Sequence, residues 1–300
     1  MRFRPDPRLY PFESRWLTLD DGSRMHYIDE GSGPVLLLLH GNPSWSFLYR
    51  KIVPRLSGRF RCIAPDLPGF GLSTAHPGHG FTAREHADAI VAFIDVLDLR
   101  GASVMMQDWG GPIGLRAAQL RPGRIDQLII GNTFGWPLNR PGPRIFSAVM
   151  GGPLGRLGAL AINGVVRWFF SAGVVNRLPR DVMKMYLAPF RSRASRQPTY
   201  VFPRQLTAAG SLLAEVERDL SAIADKPVLI LWGDRDFAFK AHEQNRFRTA
   251  FPRHRNITLR GAGHFIQEDA PEAICDAIEA WHDRDITDLP HRPENSSQQS

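Results

Sequence analysis

Three side chains with nucleophilic or acid–base chemistry each stand just past a short apolar run. Asp108 follows Val104-Met105-Met106-Gln107, Asp236 follows the run 228–231, and His264 follows the run 256–259. Asp108 opens Asp108-Trp109-Gly110-Gly111-Pro112, where an apolar stretch breaks into a polar pair, two glycines and a helix-compatible segment. A strand that turns sharply into a helix lifts its turn residue clear of the sheet, and the helix N-terminus beneath favours negative charge there. Small residues must follow so that the turn can pack. Met106, two positions before Asp108, is larger than such turns usually carry. Taken singly, an Asp after a strand is a turn former and a His beside Phe265 is a packing residue. The order nucleophile, acid, histidine at three strand ends is harder to reach by accident. Two carboxylates compete for the acid, because Trp232-Gly233-Asp234-Arg235-Asp236 carries both Asp234 and Asp236. Asp234 has turn chemistry beside Gly233, which favours Asp236. The loop after 127–131 carries Asn132-Thr133 and no carboxylate, so it cannot supply the acid.

The elements that would hold these groups alternate. A hairpin is expected at 16–19 and 24–27, joined by Asp20-Asp21-Gly22-Ser23. The run 35–39 reads as a strand buried on both faces, ending in His40-Gly41-Asn42-Pro43. Helical patterning follows over 49–56, then a strand at 60–64 closed by Pro65-Asp66-Leu67-Pro68-Gly69. A helix is expected over 82–97, with Thr82 as cap and Glu85 as its capping-box partner. Strands at 127–131, 228–231 and 256–259 alternate with helices near 241–250 and 271–282. Between 136 and 225 strands vanish in favour of aromatic-rich helical stretches punctuated by Gly and Pro. The expected fold is α/β: a doubly wound, mostly parallel sheet with an inserted helical cap domain. Its boundaries are 1–135 and 226–284 for the core, 136–225 for the cap, and 285–300 for a polar tail expected to be disordered. Ligands of such sheets bind at the carboxyl ends of the strands, where all the loops above lie.

Composition narrows the partners. The net charge of +7 invites a nucleic-acid or anionic-surface reading. Only Lys51, Lys184, Lys226 and Lys240 are lysines, so 33 of the 37 basic residues are arginines, scattered along the chain with no nucleic-acid-binding motif. No nucleic-acid partner is expected. Cys62 and Cys275 lie in apolar settings without metal spacing and read as reduced core residues. The N-terminal segment has no apolar signal region, and no segment reaches the ~18 uncharged apolar residues of a membrane span. The expectation is a cytoplasmic protein with no membrane partner. The Gly-rich apolar stretch 151–175 is the candidate surface for self-association into a homo-oligomer.

Three segments together resemble the haloalkane dehalogenases, whose fold is that of the α/β-hydrolases: His40-Gly41-Asn42-Pro43-Ser44-Trp45, Gln107-Asp108-Trp109-Gly110-Gly111 and Gly263-His264-Phe265-Ile266-Gln267-Glu268. Tyr186-Leu187-Ala188-Pro189-Phe190 and Phe202-Pro203-Arg204 are similar to cap segments of that family. The pairing of Asn42 with Trp109, and an acid at Asp236, resemble its third subgroup. The resemblance implies Asp108 as nucleophile, His264 as base and Asp236 as acid. It implies a halide held by the side chains of Asn42 and Trp109, and an oxyanion held by their backbone N–H groups. The implied partners are a small halogenated aliphatic substrate, a halide ion and water, with no metal or organic cofactor. Phe134, Trp136 and Phe190 are candidates for the apolar substrate pocket. An epoxide hydrolase shares the same Asp–His–Asp core and would need cap tyrosines, for which Tyr186 and Tyr200 are available. A fluoroacetate dehalogenase would need an Arg pair for its substrate carboxylate. A catalytically silent hydrolase fold used in assembly is the reading from another class.

Overall fold

A computed structural model of the chain describes residues 3–283. The tail expected from 285 onward lies outside the described residues. In chain order the core begins with β1 (Arg15–Thr18), β2 (Arg24–Glu30), β3 (Val35–Leu39), α1 (Val53–Leu56) and β4 (Arg61–Pro65). It continues with α2 (Ala83–Val96), β5 (Ala102–Asp108), α3 (Gly110–Leu120) and β6 (Ile125–Thr133). Six helices follow without a strand: α4 (Pro141–Met150), α5 (Pro153–Ile162), α6 (Gly164–Ala172), α7 (Arg180–Leu187), α8 (Gln197–Ala208) and α9 (Gly210–Arg218). The alternation then resumes with β7 (Val228–Gly233), α10 (Ala241–Ala250), β8 (His254–Leu259), α11 (Ile266–Asp269) and α12 (Pro271–His282).

The eight strands form one sheet in the order β1-β2-β4-β3-β5-β6-β7-β8. β1 pairs with β2, and β2 with β4, in antiparallel fashion; every other pairing is parallel. β5 and β7 are buried at every residue, as strands covered on both faces must be; β7 is apolar throughout, while β5 carries Ser103 and ends in the buried polar pair Gln107-Asp108. The Thr82–Glu85 capping box forms as expected at the head of α2. Such a cap is worth about 1 kcal/mol to a helix.

One local expectation changes. The patterning over 49–56 resolves into a 3-10 turn at Ser46–Tyr49 and a single turn at α1. Pro54 has no N–H to continue a longer helix and sits in the first turn of α1, where none is needed. The turn and β3 are tied by Tyr49, whose hydroxyl donates to the Leu39 carbonyl at 2.8 Å.

Candidate active site

The site forms where four loops leave the carboxyl ends of β3, β5, β7 and β8. Asp108 is the last residue of β5 and has a φ of +51°, a left-handed conformation that side chains other than glycine avoid. Strain of this kind, about 1–3 kcal/mol, persists where the surroundings over-determine the turn. Here they do. Thr133 donates its hydroxyl to the Asp108 carbonyl, and a Cβ on Gly110 would come within 2.6 Å of the Leu39 carbonyl. On the other side Gly41 passes so close that a Cβ would collide with the Asp108 carboxylate. That approach brings the Asn42 backbone N–H to 2.8 Å from Asp108 Oδ1, where it donates. With α3 starting two residues later, the carboxylate sits beside a helix N-terminus and a backbone donor.

The β3 loop owes its shape to His40, whose Nε2 accepts the Leu67 N–H at 3.0 Å. Its other ring nitrogen, Nδ1, therefore donates to the Gly41 carbonyl at 2.9 Å. Burial lowers the His40 pKa, in keeping with that neutral tautomer.

His264 is fully buried, with Nε2 at 3.5 Å from Asp108 Oδ2 and Nδ1 at 3.2 Å from both Asp236 carboxylate oxygens. Asp236 accepts the Ala238 N–H at 2.7 Å, which fixes the carboxylate toward the ring. Asp234 instead accepts the Gly261 N–H at 2.8 Å and joins two loops, which leaves Asp236 as the carboxylate beside the His264 ring. Burial by itself depresses the His264 pKa. The charge of Asp236 and hydrogen bonding to Asp108 and Asp236 outweigh it and raise the value to about 10.

Three further residues had no chemical signal in the sequence and hold this arrangement together. Asn132, at a φ of +39°, accepts the Gly233 N–H at 2.8 Å through Oδ1 and donates to the Gly263 carbonyl at 2.7 Å through Nδ2. It ties the loop that carries Asp236 to the one that carries His264. Thr133 braces the Asp108 turn. Gln107 donates from Nε2 to the His264 carbonyl at 3.1 Å, and the same nitrogen lies 3.2 Å from His264 Nε2. An Asn after a strand, tolerant of left-handed φ, is the one cue that pointed at any of them.

Asp108, Asn42 and Trp109 form the polar floor of a cavity of about 240 Å³. Its walls are apolar: Leu138, Pro143 and Phe146 from the start of the helical stretch, Phe169 from α6, Pro203 and Leu206 from α8, and Phe237 and Phe239 beyond β7. Among the described residues no protein group accepts from the Trp109 indole N–H or the Asn42 side-chain amide. Two N–H donors beside a carboxylate, in an otherwise apolar cavity, suit an anion that appears next to a carbon under attack.

A family model described as alpha/beta hydrolase fold matches residues 34–271. Haloalkane dehalogenase 2 of Mycobacterium tuberculosis is 45% identical over 92% of this chain and 97% of its own length. The chain belongs to the haloalkane dehalogenases. A cis-3-alkyl-4-alkyloxetan-2-one decarboxylase of Xanthomonas campestris is also similar, at 34% identity over 92% of this chain and 97% of its own. Among solved structures, haloalkane dehalogenase DbeA from Bradyrhizobium elkani superposes with a TM-score of 0.83, covering 90% of this chain and 97% of that one at 28% identity.

The three aromatics expected to line the dehalogenase pocket do not line it. Phe134 is buried behind the floor, edge-on to Trp109 at 5.0 Å and stacked on Phe239 at 5.1 Å. Trp136 packs against Phe247 at 4.6 Å, with Arg246 over its ring at 4.0 Å, away from Asp108. Phe190 is buried edge-on to Phe70 at 6.0 Å. Each is held by neighbours that the linear sequence leaves far apart. Of the two tyrosines that an epoxide hydrolase would draw on, Tyr200 lines a separate groove, and Tyr186 is buried and donates to Glu268, which Arg50 holds in a two-pronged pair with Nη2 at 2.8 Å from Oε2.

Proposed function

We propose that Asp108 is the nucleophile, His264 the base and Asp236 the acid that orients it, with the side chains of Asn42 and Trp109 holding the halide. Asp108 Oδ attacks the halogen-bearing carbon, the carbon–halogen bond breaks, and an alkyl ester forms while halide leaves onto the two N–H donors. His264 then takes a proton from water, and the hydroxide attacks the ester carbonyl carbon. The oxyanion is held by the backbone N–H groups of Asn42 and Trp109 until the ester C–O bond breaks. Alcohol, halide and one proton are released.

The observation that carries this reading is the Asp108 carboxylate, bonded by the Asn42 N–H and within 3.5 Å of His264, on the floor of an apolar cavity. The raised His264 pKa fits the sequence of events. In the free enzyme two carboxylates hold the proton on the ring. Esterification neutralises Asp108, removes one of those anions and lowers the affinity of His264 for its proton when a base is needed. Asn42 paired with Trp109 and an acid at Asp236 support assignment to the third subgroup. The reading assigns 136–225 as a cap over the core, requires no cofactor, and puts the enzyme in the cytoplasm.

A second reading rests on the oxetan-2-one decarboxylase relative, since an Asp nucleophile can also open a strained ring. The cavity of about 240 Å³ favours short substrates over a ring bearing two long chains. Bromide release from 1-bromobutane, styrene oxide hydrolysis and turnover of a dialkyl oxetan-2-one, each with wild type and Asp108→Ala, separate the readings. Bromide release by wild type and none by the variant is the expected result. Turnover of the epoxide or the oxetanone with no bromide release would overturn it.

A further inference from the structure

Among the described residues, seven of the nine exposed large apolar side chains fall between 145 and 175. Ile145, Leu154, Leu157 and Ile162 are each 63–75% exposed, and an apolar cluster of this kind on a surface marks an interaction site. They ride on α4 and α5, which are bent by 50° against each other; no single helix here is long and apolar enough to cross a membrane. The charge on this face has one sign. From 127 to 180 the chain contains no Asp or Glu and six arginines: Arg140, Arg144, Arg156, Arg167, Arg177 and Arg180. Among the described residues, only Arg140 of these reaches an acid, Glu243 on α10. An open groove of about 860 Å³ between α4, α5 and α8 brings together Arg144, Arg156 and Arg204 with Leu157 and Tyr200. Those three arginines make no ion pair among the described residues.

We propose that the α4–α5 face, with the Arg144–Arg156–Arg204 groove, docks on an anionic phospholipid bilayer. Helices with protruding Leu and Ile, flanked by arginines, lie in the interfacial plane of a membrane with the apolar side chains below the headgroups. Each arginine near an anionic surface contributes about as much as a few-fold in partitioning. The groove offers three unpaired guanidinium groups to headgroup phosphates, which they bind in two-pronged fashion. A second copy of the chain fits less well, because a self-complementary contact would set these arginines against their own copies with no carboxylate between them. The sequence expectation of no membrane partner rested on spanning length and on arginines scattered along the chain; the fold gathers Arg144, Arg156 and Arg204 at one groove.

The face also has a use for the activity. Phe146 of α4 and Phe169 of α6 wall the cavity above Asp108 from the inner side of the same layer. An apolar substrate concentrated in lipid would then have only this layer to cross. Docking itself does not depend on the dehalogenase reading, and its test reads binding without turnover.

The test is co-sedimentation with vesicles of phosphatidylcholine alone and of phosphatidylcholine with phosphatidylglycerol, for wild type, Leu154→Glu/Leu157→Glu and Arg144→Gln/Arg156→Gln. Wild type should sediment with the anionic vesicles and little with the neutral ones. Both variants should bind on the order of tenfold more weakly, with bromide release from a soluble substrate unchanged. Equal binding to both vesicle types, or wild-type binding by both variants, would overturn the proposal. A concentration-dependent dimer in analytical ultracentrifugation, lost in Leu154→Glu/Leu157→Glu without any vesicle binding, would overturn it in favour of a second copy.

Discussion

At the scale of single residues, the side chains of Trp109 and Asn42 hold N–H donors that no protein group among the described residues uses, and Asp108 accepts a backbone N–H across a gap that only Gly41 allows. Removing one such donor typically costs 10²–10³-fold in the step where charge develops. Trp109→Leu should therefore lower kcat for 1-bromobutane by about that factor and weaken the chloride dependence of Tm. An unchanged kcat would remove Trp109 from the halide site. In the sequence, Asp108 stood out as a carboxylate at a strand end, whereas Asn42 and Trp109 were pointed to by the family resemblance. Asp236 was favoured over Asp234 in sequence only by the turn chemistry of Asp234 beside Gly233; in the structure Asp236 lies 3.2 Å from His264 Nδ1, while Asp234 accepts the Gly261 N–H. Asn132, Thr133 and Gln107 were not legible as site residues, because an amide or a hydroxyl after a strand has many uses and its partners lie up to 157 positions away.

Among elements, one connection between the helical stretch and the core is a hydrogen bond onto a buried ion pair. Arg50 grips Glu268 of α11, and Tyr186 of α7 donates to the same carboxylate. Burial raises the Glu268 pKa, but Arg50 more than compensates, and the group is held below its ordinary value. Glu268→Gln would leave Arg50 a buried cation without its counter-charge. The expected cost is about 3 kcal/mol, a fall of several degrees in Tm by calorimetry. A variant as stable as wild type would mean that the pair contributes no net stability. The cavity walls belong to this scale too. Phe146→Ala enlarges the cavity and should raise kcat/KM for 1-bromohexane relative to 1-bromobutane several-fold; an unchanged ratio would show that α4 does not limit chain length. The alternation of strands and helices was readable from apolar runs and turn residues. The wall was not, since the helical stretch packs by contacts between rings distant in sequence, such as Phe169 with Phe237 at 6.3 Å.

Across the molecule, stability should have a pH window set by groups of opposite sign. His264 is raised to about 10 in the folded state, above its ordinary ~6.5. Its contribution is complete below pH ~6.5 and is lost as the pH rises toward about 10. Asp66 is lowered: burial alone would raise it, but His26 at 2.9 Å and the N–H of Leu72 at 2.8 Å prevail. Its contribution, like that of Glu268, is present above the ordinary carboxylate range and lost as the pH falls through the folded values. Melting temperature should fall on both sides of a plateau near pH 5–6.5. His264→Ala should flatten the alkaline limb while leaving the acid limb in place. An alkaline limb identical in wild type and variant would contradict the raised value.

The most direct test of the central claim is the mass of intact His264→Ala protein after incubation with 1-bromobutane, followed by peptide mapping. Without its base the enzyme should form the ester and fail to hydrolyse it. The account predicts one butyl group per chain, with bromide released in equal amount and the adduct on the peptide containing Asp108. A variant that releases bromide catalytically without an adduct, or that carries the butyl group on another residue, would contradict it.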